Sequence, residues 1–283
     1  MKQKKYFITY GSQSFSLQKK HLTHLANSID YFDHVVGFGP DDLSIDFKNK
    51  YKHYLDIYKG GGYWIWKCEI LRMVLNEIKE GDLVVYSSAG SSFNPNGKAK
   101  LEDYVNKLNE SNKLSLRFSL ENHPEKNWTT KEIFEYFDLS VESQIANSNQ
   151  LIANHFIVKK NNDAVSLFNE FNELLEEDSS LITFKYDKKN QIPTFIENRN
   201  DQSIFSVLNK IYGAYIIPTD ETYYPIGDEN QYNYPFLSVR KRNYSNYQRI
   251  KFYLNYFNNI NKPIYFERNP DIIERIFYKL FKK

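Results

Sequence analysis

The sequence predicts an α/β chain built on a mostly parallel sheet flanked by helices. Two observations carry this. Apolar, strand-like runs alternate with helix-like segments from residue 5 to residue 220. The strand-like runs are apolar with little polar alternation, as strands covered on both faces are. The composition agrees: 41% hydrophobic and 25% charged residues suit a globular chain and not a disordered one.

The elements follow in order. "KYFITYG" (5–11) reads as a strand ending in Gly. "SFSLQKKHLTHLANSI" (14–29) places Phe15, Leu22, Leu25 and Ile29 near helical spacing, and "HVVGFG" (34–39) is a second strand. "WKCEILRMVLNEIKEGD" (66–82) is the clearest helix. Ile70, Leu71, Val74, Leu75 and Ile78 make one apolar face, and Gly81 stops it. "DLVVY" (82–86) is a buried strand, "KAKLEDYVNKLNES" (98–111) a helix, and "LSLRFSL" (114–120) alternates as a strand does. "TTKEIFEYFDL" (129–139) opens with a Thr cap. "NQLIANHFIVKK" (149–160) is a strand pair or one bent strand, and "NDAVSLFNEFNELLEED" (162–178) is an amphipathic helix. "NDQSIFSVLNKIYG" (200–213) is a helix capped by Asn or Asp, and "AYIIPTD" (214–220) a last strand. No internal repeat or long linker interrupts them.

The single cysteine, Cys68, excludes an internal disulfide and a cysteine-based zinc site, and favours cytosolic chemistry. "MKQKKYFITYG" lacks the apolar run of a signal peptide, and no stretch approaches the ~20 apolar residues of a membrane span. The 23 Tyr and 21 Phe fit a sugar site, where Tyr joins apolar area to a hydroxyl; an AT-rich coding sequence gives the same enrichment. Residues 240–283 hold 11 Lys+Arg and 3 Asp+Glu, a net of +8, which leaves 26 against 32, or −6, for the rest. A basic tail on an acidic body suggests an anionic surface as the tail's partner, or the body itself. An acidic body without a nucleic-acid motif argues against nucleic acid. His21 and His24, three apart on a helix, have no carboxylate near them in sequence and read as surface or packing residues.

In such sheets ligands bind at the carboxyl ends of the strands. The ends to watch are 9–11, 86–90 and the loop before Asn200. Four segments near them, "YFITYG" (6–11), "YKGGGYWIWKCEIL" (58–71), "GDLVVYSSAG" (81–90) and "NRNDQSIFSVLNKIYG" (198–213), resemble in this order a family of bacterial GT-A-type glycosyltransferases from capsule, O-antigen and lipooligosaccharide gene clusters. The second is similar to the family's Gly-Tyr-Trp-x-Trp-Lys-Pro, the third to Gly-Asp-x-x-x-Tyr-x-Asp-Ala-Gly, and the fourth to His-Arg-x-Asp-Gln-Ser. "ESQIANSNQLIANHFIVKKN" (142–161) fits the family's middle, so the likeness spans about residues 5 to 225.

The resemblance implies a GT-A-like domain over 1–235, with a helical, aromatic and basic extension over 236–283. It implies a donor site between Thr9–Tyr10 and Ser87–Gly90, with Gly61, Gly62, Tyr63, Trp66 and Lys67 over it. Ser88 would line the site, and Gln202 would bind substrate beside Asp201 as the catalytic acid. Lys67→Ala is then expected to weaken donor binding with the fold intact. Asp201→Asn is expected to leave stability nearly unchanged, because Asn caps a helix about as well as Asp.

Three departures stand out. Cys68 replaces the family's Pro, Asn198 its His, and Ser88 the Asp that usually anchors Mn²⁺ or Mg²⁺ in GT-A enzymes. Hard cations need charged oxygen ligands, so weak or absent metal dependence is expected. The implied function is transfer of a sugar, most simply from a UDP-sugar, to a glycan or lipid-linked acceptor in surface polysaccharide synthesis. The alternative is a non-catalytic sugar-nucleotide or glycan-binding relative that lost its metal-binding acid. "NPDIIERIFYKLFKK" (269–283) reads as an amphipathic basic helix that lies on the anionic inner face of the cytoplasmic membrane or packs on the domain.

Overall fold

The structure, a computed structural model, describes residues 2–225, 228–239, 250, 254 and 260–265. The expected helix at 269–283 and most of the 236–283 extension lie outside the described residues.

Among the described residues the central sheet has seven strands. They are β1 (Lys5–Tyr10), β2 (His34–Phe38), β3 (Leu83–Ser87), β5 (Ser115–Pro124), β6 (Asn149–Leu151), β7 (His155–Lys159) and β8 (Ala214–Ile217). A small two-stranded sheet joins β4 (Ser92–Phe93) to β9 (Phe236–Leu237). The large sheet runs β2-β1-β3-β7-β5-β6, with β8 also paired to β5. β1 pairs in parallel with β2 and β3, and β8 in parallel with β5. Only β6 and β7 run against the other five.

Two helical layers cover the sheet. The helices Trp66–Glu77, Asn162–Asp178 and Asp201–Tyr212 pack on the face that carries Ile8, Tyr10, Tyr86 and Phe156. The helices Ser16–Asn27 and Lys98–Glu110 pack on the face that carries Phe7, Val85, Leu116 and Phe118. All five residues of β3 are buried, which is why this central strand reads as an unbroken apolar run.

The expected elements form, with local differences. The helix from Trp66 ends at Glu77; Gly81, at φ 84°, then turns the chain into β3. Within the segment 129–139 the helix is short, Lys131–Tyr136, and a further short helix, Glu125–Trp128, precedes it. The stretch 149–160 is a strand pair, β6 and β7, joined by residues 152–154. Two short helices, Ile45–Lys50 and Lys52–Leu55, were not expected; their apolar residues are too few to mark a helical face.

Phe236 and Leu237, placed in the extension by sequence, are fully buried against the body as β9. Gly97 makes this seat possible. A β-carbon there would lie 2.3 Å from the Pro235 nitrogen and 2.4 Å from the Tyr234 carbonyl carbon. Gly97→Ala should therefore unseat the segment before β9 and cost about 1–3 kcal/mol, the usual penalty of overpacking, read as a lower urea midpoint. An unchanged midpoint would show that this contact contributes nothing.

Candidate active site at the strand ends

Lys67 and Asp201 form an ion pair at the start of two helices, and both are closed to solvent, at 2% and 4% exposed. Lys67 Nζ also donates to the Ala153 carbonyl at 2.8 Å, and it lies 5.2 Å from the centre of the Tyr86 ring. Two charges removed from water cost several kcal/mol each, and only close pairing offsets this. Burial pushes the Asp201 carboxyl above its ordinary range, against the pull of Lys67 and Arg117. Burial likewise pushes the Lys67 ammonium down, against the pull of Asp201. In both groups burial opposes the charged form and the partner's charge favours it.

The backbone on each side of this pair is strained. Residues 60–64 all have positive φ, at 64°, 57°, 98°, 54° and 61°, and so form a left-handed turn. Glycine accepts this; Tyr63 and Trp64 do so at about 1–2 kcal/mol each. The amides of Gly61, Gly62, Tyr63, Trp64 and Ile65 are all bonded to carbonyls within the segment 57–62. An anion there must be met by side chains rather than by these amides. Asn200, just before Asp201, sits at φ 56°, ψ −127°, a glycine-like conformation held by its side chain's bond to the Ile182 carbonyl at 2.7 Å. Backbone strain of this kind gathers where side chains must be aimed.

The expected site residues divide between the two faces of the sheet, because side chains alternate along a strand. Tyr10, Trp66, Lys67, Asp201 and Gln202 come together on one face. The Tyr10 and Trp66 rings stack at 3.8 Å, and the Trp66 indole donates to the Gly60 carbonyl at 2.9 Å. Gln202 Nε2 donates to Gln150 Oε1 at 2.7 Å, and its own Oε1 accepts from the Ala153 amide at 3.3 Å. The Ser88 hydroxyl lies 3.4 Å from the Tyr86 hydroxyl, and its amide donates to the Asn154 carbonyl at 2.9 Å. Thr9 and Ser87 point the other way. Ser87 Oγ sits 3.0 Å from His155 Nδ1, and the buried Thr9 hydroxyl has no partner among the described residues.

The glycines divide as well. A β-carbon on Gly62 would meet the Tyr54 carbonyl oxygen at 2.9 Å, so this glycine serves helix packing. One on Gly61 would reach nothing closer than Ser12 at 3.6 Å, and one on Gly90 nothing closer than Phe15 at 3.6 Å. Tyr63 packs edge-on against Tyr54 and Phe184.

Two expectations change with this geometry. Asp201 is the first helical residue rather than the cap; its carboxylate goes to Lys67. Neither Lys67→Ala nor Asp201→Asn is therefore benign, since each leaves a buried charge without its partner. Three further groups went unnoticed in the sequence. Lys19 brings a second ammonium to the ends of β1 and β2, donating to the Phe38 carbonyl at 2.9 Å. Asp41 and Asp42, in residues 37–42, lie near enough to Tyr10 to add to the upward push that burial gives its hydroxyl. Arg117, a lone basic residue in a strand-like run, is wholly buried beside the pair.

The residues present do not fit the metal of GT-A enzymes. Ser88 offers a neutral hydroxyl. Asp220 is bonded to Thr222, Glu221 to Tyr104 and Lys100, and Asp201 to Lys67. Among the described residues no three His, Cys, Asp or Glu side chains gather as ligands. The two large clefts described lie elsewhere. One, of about 610 Å³, runs between Tyr136, Glu173 and Tyr212, and the other, of about 400 Å³, between Lys50, Arg72 and Glu176.

No protein-family model matches the chain, and no curated protein matches it. Among solved structures it is similar to a glycosyltransferase involved in the glycosylation of the major capsid of PBCV-1. That likeness has a TM-score of 0.51 and 13% identity, over 88% of this chain and 99% of the other. A galactosyltransferase, LgtC, in complex with donor and acceptor sugar analogues matches at TM-score 0.38 and 11% identity, over 75% and 72%. The first likeness shows the fold: a GT-A-like, mostly parallel sheet flanked by helices.

Breaking the pair should be costly and mending it should not. Lys67→Met and Asp201→Asn should each lose about 3–5 kcal/mol in urea unfolding, and the double variant should recover much of that loss. Strictly additive losses would show that the two charges are not coupled.

Proposed function

We propose that this chain is a glycosyltransferase. It moves a sugar from a nucleotide-sugar donor, most simply a UDP-sugar, to a glycan or lipid-linked acceptor in bacterial surface polysaccharide synthesis. The observation that carries this reading is the buried Lys67–Asp201 pair, flanked by strained backbone, at the carboxyl ends of β1 and β3. Ligand sites of open α/β sheets lie at such ends.

Each residue then has a part. As the bond from the sugar's anomeric carbon to phosphate breaks, negative charge grows on the leaving diphosphate. The Lys67 and Lys19 ammonium groups lie at those strand ends, where positive charge stabilises it. Asp201 holds Lys67 and either binds a sugar hydroxyl or takes the proton of the acceptor hydroxyl. The stacked Tyr10 and Trp66 rings wall the site. Side chains, rather than a divalent cation, meet the phosphates.

One observation favours a second reading. Lys67 and Asp201 are sealed from solvent, so a relative that binds a nucleotide sugar or glycan without turning it over has the same geometry. A panel of nucleotide sugars separates the two. Transfer, or slow hydrolysis, of at least one donor that persists in EDTA supports the enzyme. Tight binding with no turnover supports the binder, and neither binding nor turnover ends both. Strict Mn²⁺ dependence would overturn the metal-free part of the proposal.

The membrane contact belongs to the same proposal. The full chain should sediment with anionic vesicles at low salt, while a chain ending at Asn269 stays in the supernatant, because each basic residue at such a surface adds about 1 kcal/mol. Equal behaviour of both chains would remove the tail from membrane binding.

A further inference from the structure

Behind the ion pair lies a buried cation that forms no ion pair among the described residues. Arg117 stands on β5 and is fully enclosed. Its guanidinium carbon is 4.0 Å from the centre of the Phe205 ring and 4.7 Å from that of Phe156. Nη2 donates to the Ile152 carbonyl at 2.7 Å, while Nε and Nη1 have no hydrogen-bond partner among the described residues. Phe205 follows Asp201 by four residues on one helix, so both side chains leave the same helix face. The guanidinium on Phe205 thus sits on the helix face that carries the carboxylate, close enough to act on its charge.

The same short linker ties these groups together. The Ile152 carbonyl accepts from Arg117, the Ala153 amide donates to Gln202, and the Ala153 carbonyl accepts from Lys67. The Asn154 carbonyl then accepts the Ser88 amide at the end of β3. Movement of Arg117 would pass directly to Lys67 and to the strand end.

The neighbouring acid is already engaged. Glu125 is paired with Lys210 at 2.5 Å and accepts from Thr129 at 2.7 Å, Gln150 at 2.9 Å and Ser206. The charge of Arg117 therefore falls mainly on Asp201. Facing Asp201 are Lys67 from the helix Trp66–Glu77, Arg117 from β5 and the Tyr86 phenol from β3. Two cations serve one carboxylate.

We propose that Arg117 is a positioning residue that supplies a second positive charge to Asp201, so that the carboxylate stays ionised when Lys67 turns its ammonium toward an anionic ligand at the strand ends. This rests on the reading of the site as one for an anionic donor. The logic is electrostatic. A buried carboxylate that lost its only cation would pick up a proton or drive the site apart. With Arg117 behind it, Lys67 is freed for the ligand. Consistent with this, Arg117 pulls the Asp201 carboxyl down and pushes the Lys67 ammonium down as well.

The test is a titration of the full chain, labelled with ¹³C-aspartate and without nucleotide. In Arg117→Met and Arg117→Gln the Asp201 carboxyl midpoint should rise by about one pH unit or more, the scale of one lost neighbouring charge. Arg117→Lys should hold it within about half of that. Gln keeps a donor for the Ile152 carbonyl and Lys keeps the charge, so packing and charge are read apart. An unmoved midpoint in the neutral variants, or an equal rise in Arg117→Lys, overturns the proposal. If the neutral variants do not fold, Arg117→Lys alone carries the test: an Asp201 midpoint within about half a pH unit of the native one supports the proposal, and a rise of about one unit or more overturns it. The readout needs no nucleotide sugar, so a chain that binds none would defeat the functional reading and leave this result standing.

Discussion

The removal of Lys67 and Asp201 from water is the constraint around which this site is arranged. Such a pair is expensive and is held only where its remaining hydrogen-bonding capacity is met. Here the Ala153 carbonyl accepts a hydrogen bond from Lys67, and Gln202, the next residue after Asp201, steadies the same linker. Two helices begin at the pair, and each is entered through backbone that ordinary residues avoid. Relaxing residues 60–64 or Asn200 would release strain but would swing a buried charge away from its partner. The strain and the ion pair thus hold each other in place.

The sheet then sorts the chemistry. Its face toward the helix Asp201–Tyr212 carries charge: Lys67, Asp201, Arg117 and the Glu125–Lys210 pair. Its opposite face carries the buried Thr9 hydroxyl and Ser87, the latter against His155. Residues 260–265 return over that second side. The Lys262 carbonyl lies 3.0 Å from His21 Nε2, Asn261 Oδ1 lies 2.7 Å from His24 Nε2, and the Ile264 amide donates to Ser92 at 2.9 Å. The two histidines with no carboxylate nearby in sequence find partners 241 and 237 residues away.

Much of the fold was legible because long apolar periods survive any tertiary context. The helix from Trp66 and the strand at Leu83 needed no partner to be recognised. The site was legible only through short segments, and those do not say which way a side chain points. Thr9 and Tyr10, neighbours in sequence, face opposite layers. Arg117 was missed for a related reason. "LSLRFSL" alternates as a half-solvated strand does, yet its polar side is buried: Ser115 bonds Asn209 at 2.6 Å and Arg117 stacks on Phe205. Alternation reports two faces; it does not report what covers them. Asp201 looked like a cap because Asp before a helix usually is one. That its carboxylate goes to a lysine 134 residues away is a tertiary fact.

The central claim is that the pair marks the mouth of an anion site at the ends of β1 and β3. A crystal structure of the full chain with UDP tests it most directly. The account places the diphosphate within hydrogen-bond reach of Lys67 Nζ, about 3 Å, beside Tyr10 and Ser88. A diphosphate bound in the cleft between Tyr136 and Tyr212, or elsewhere with Lys67 still closed upon Asp201, would contradict it.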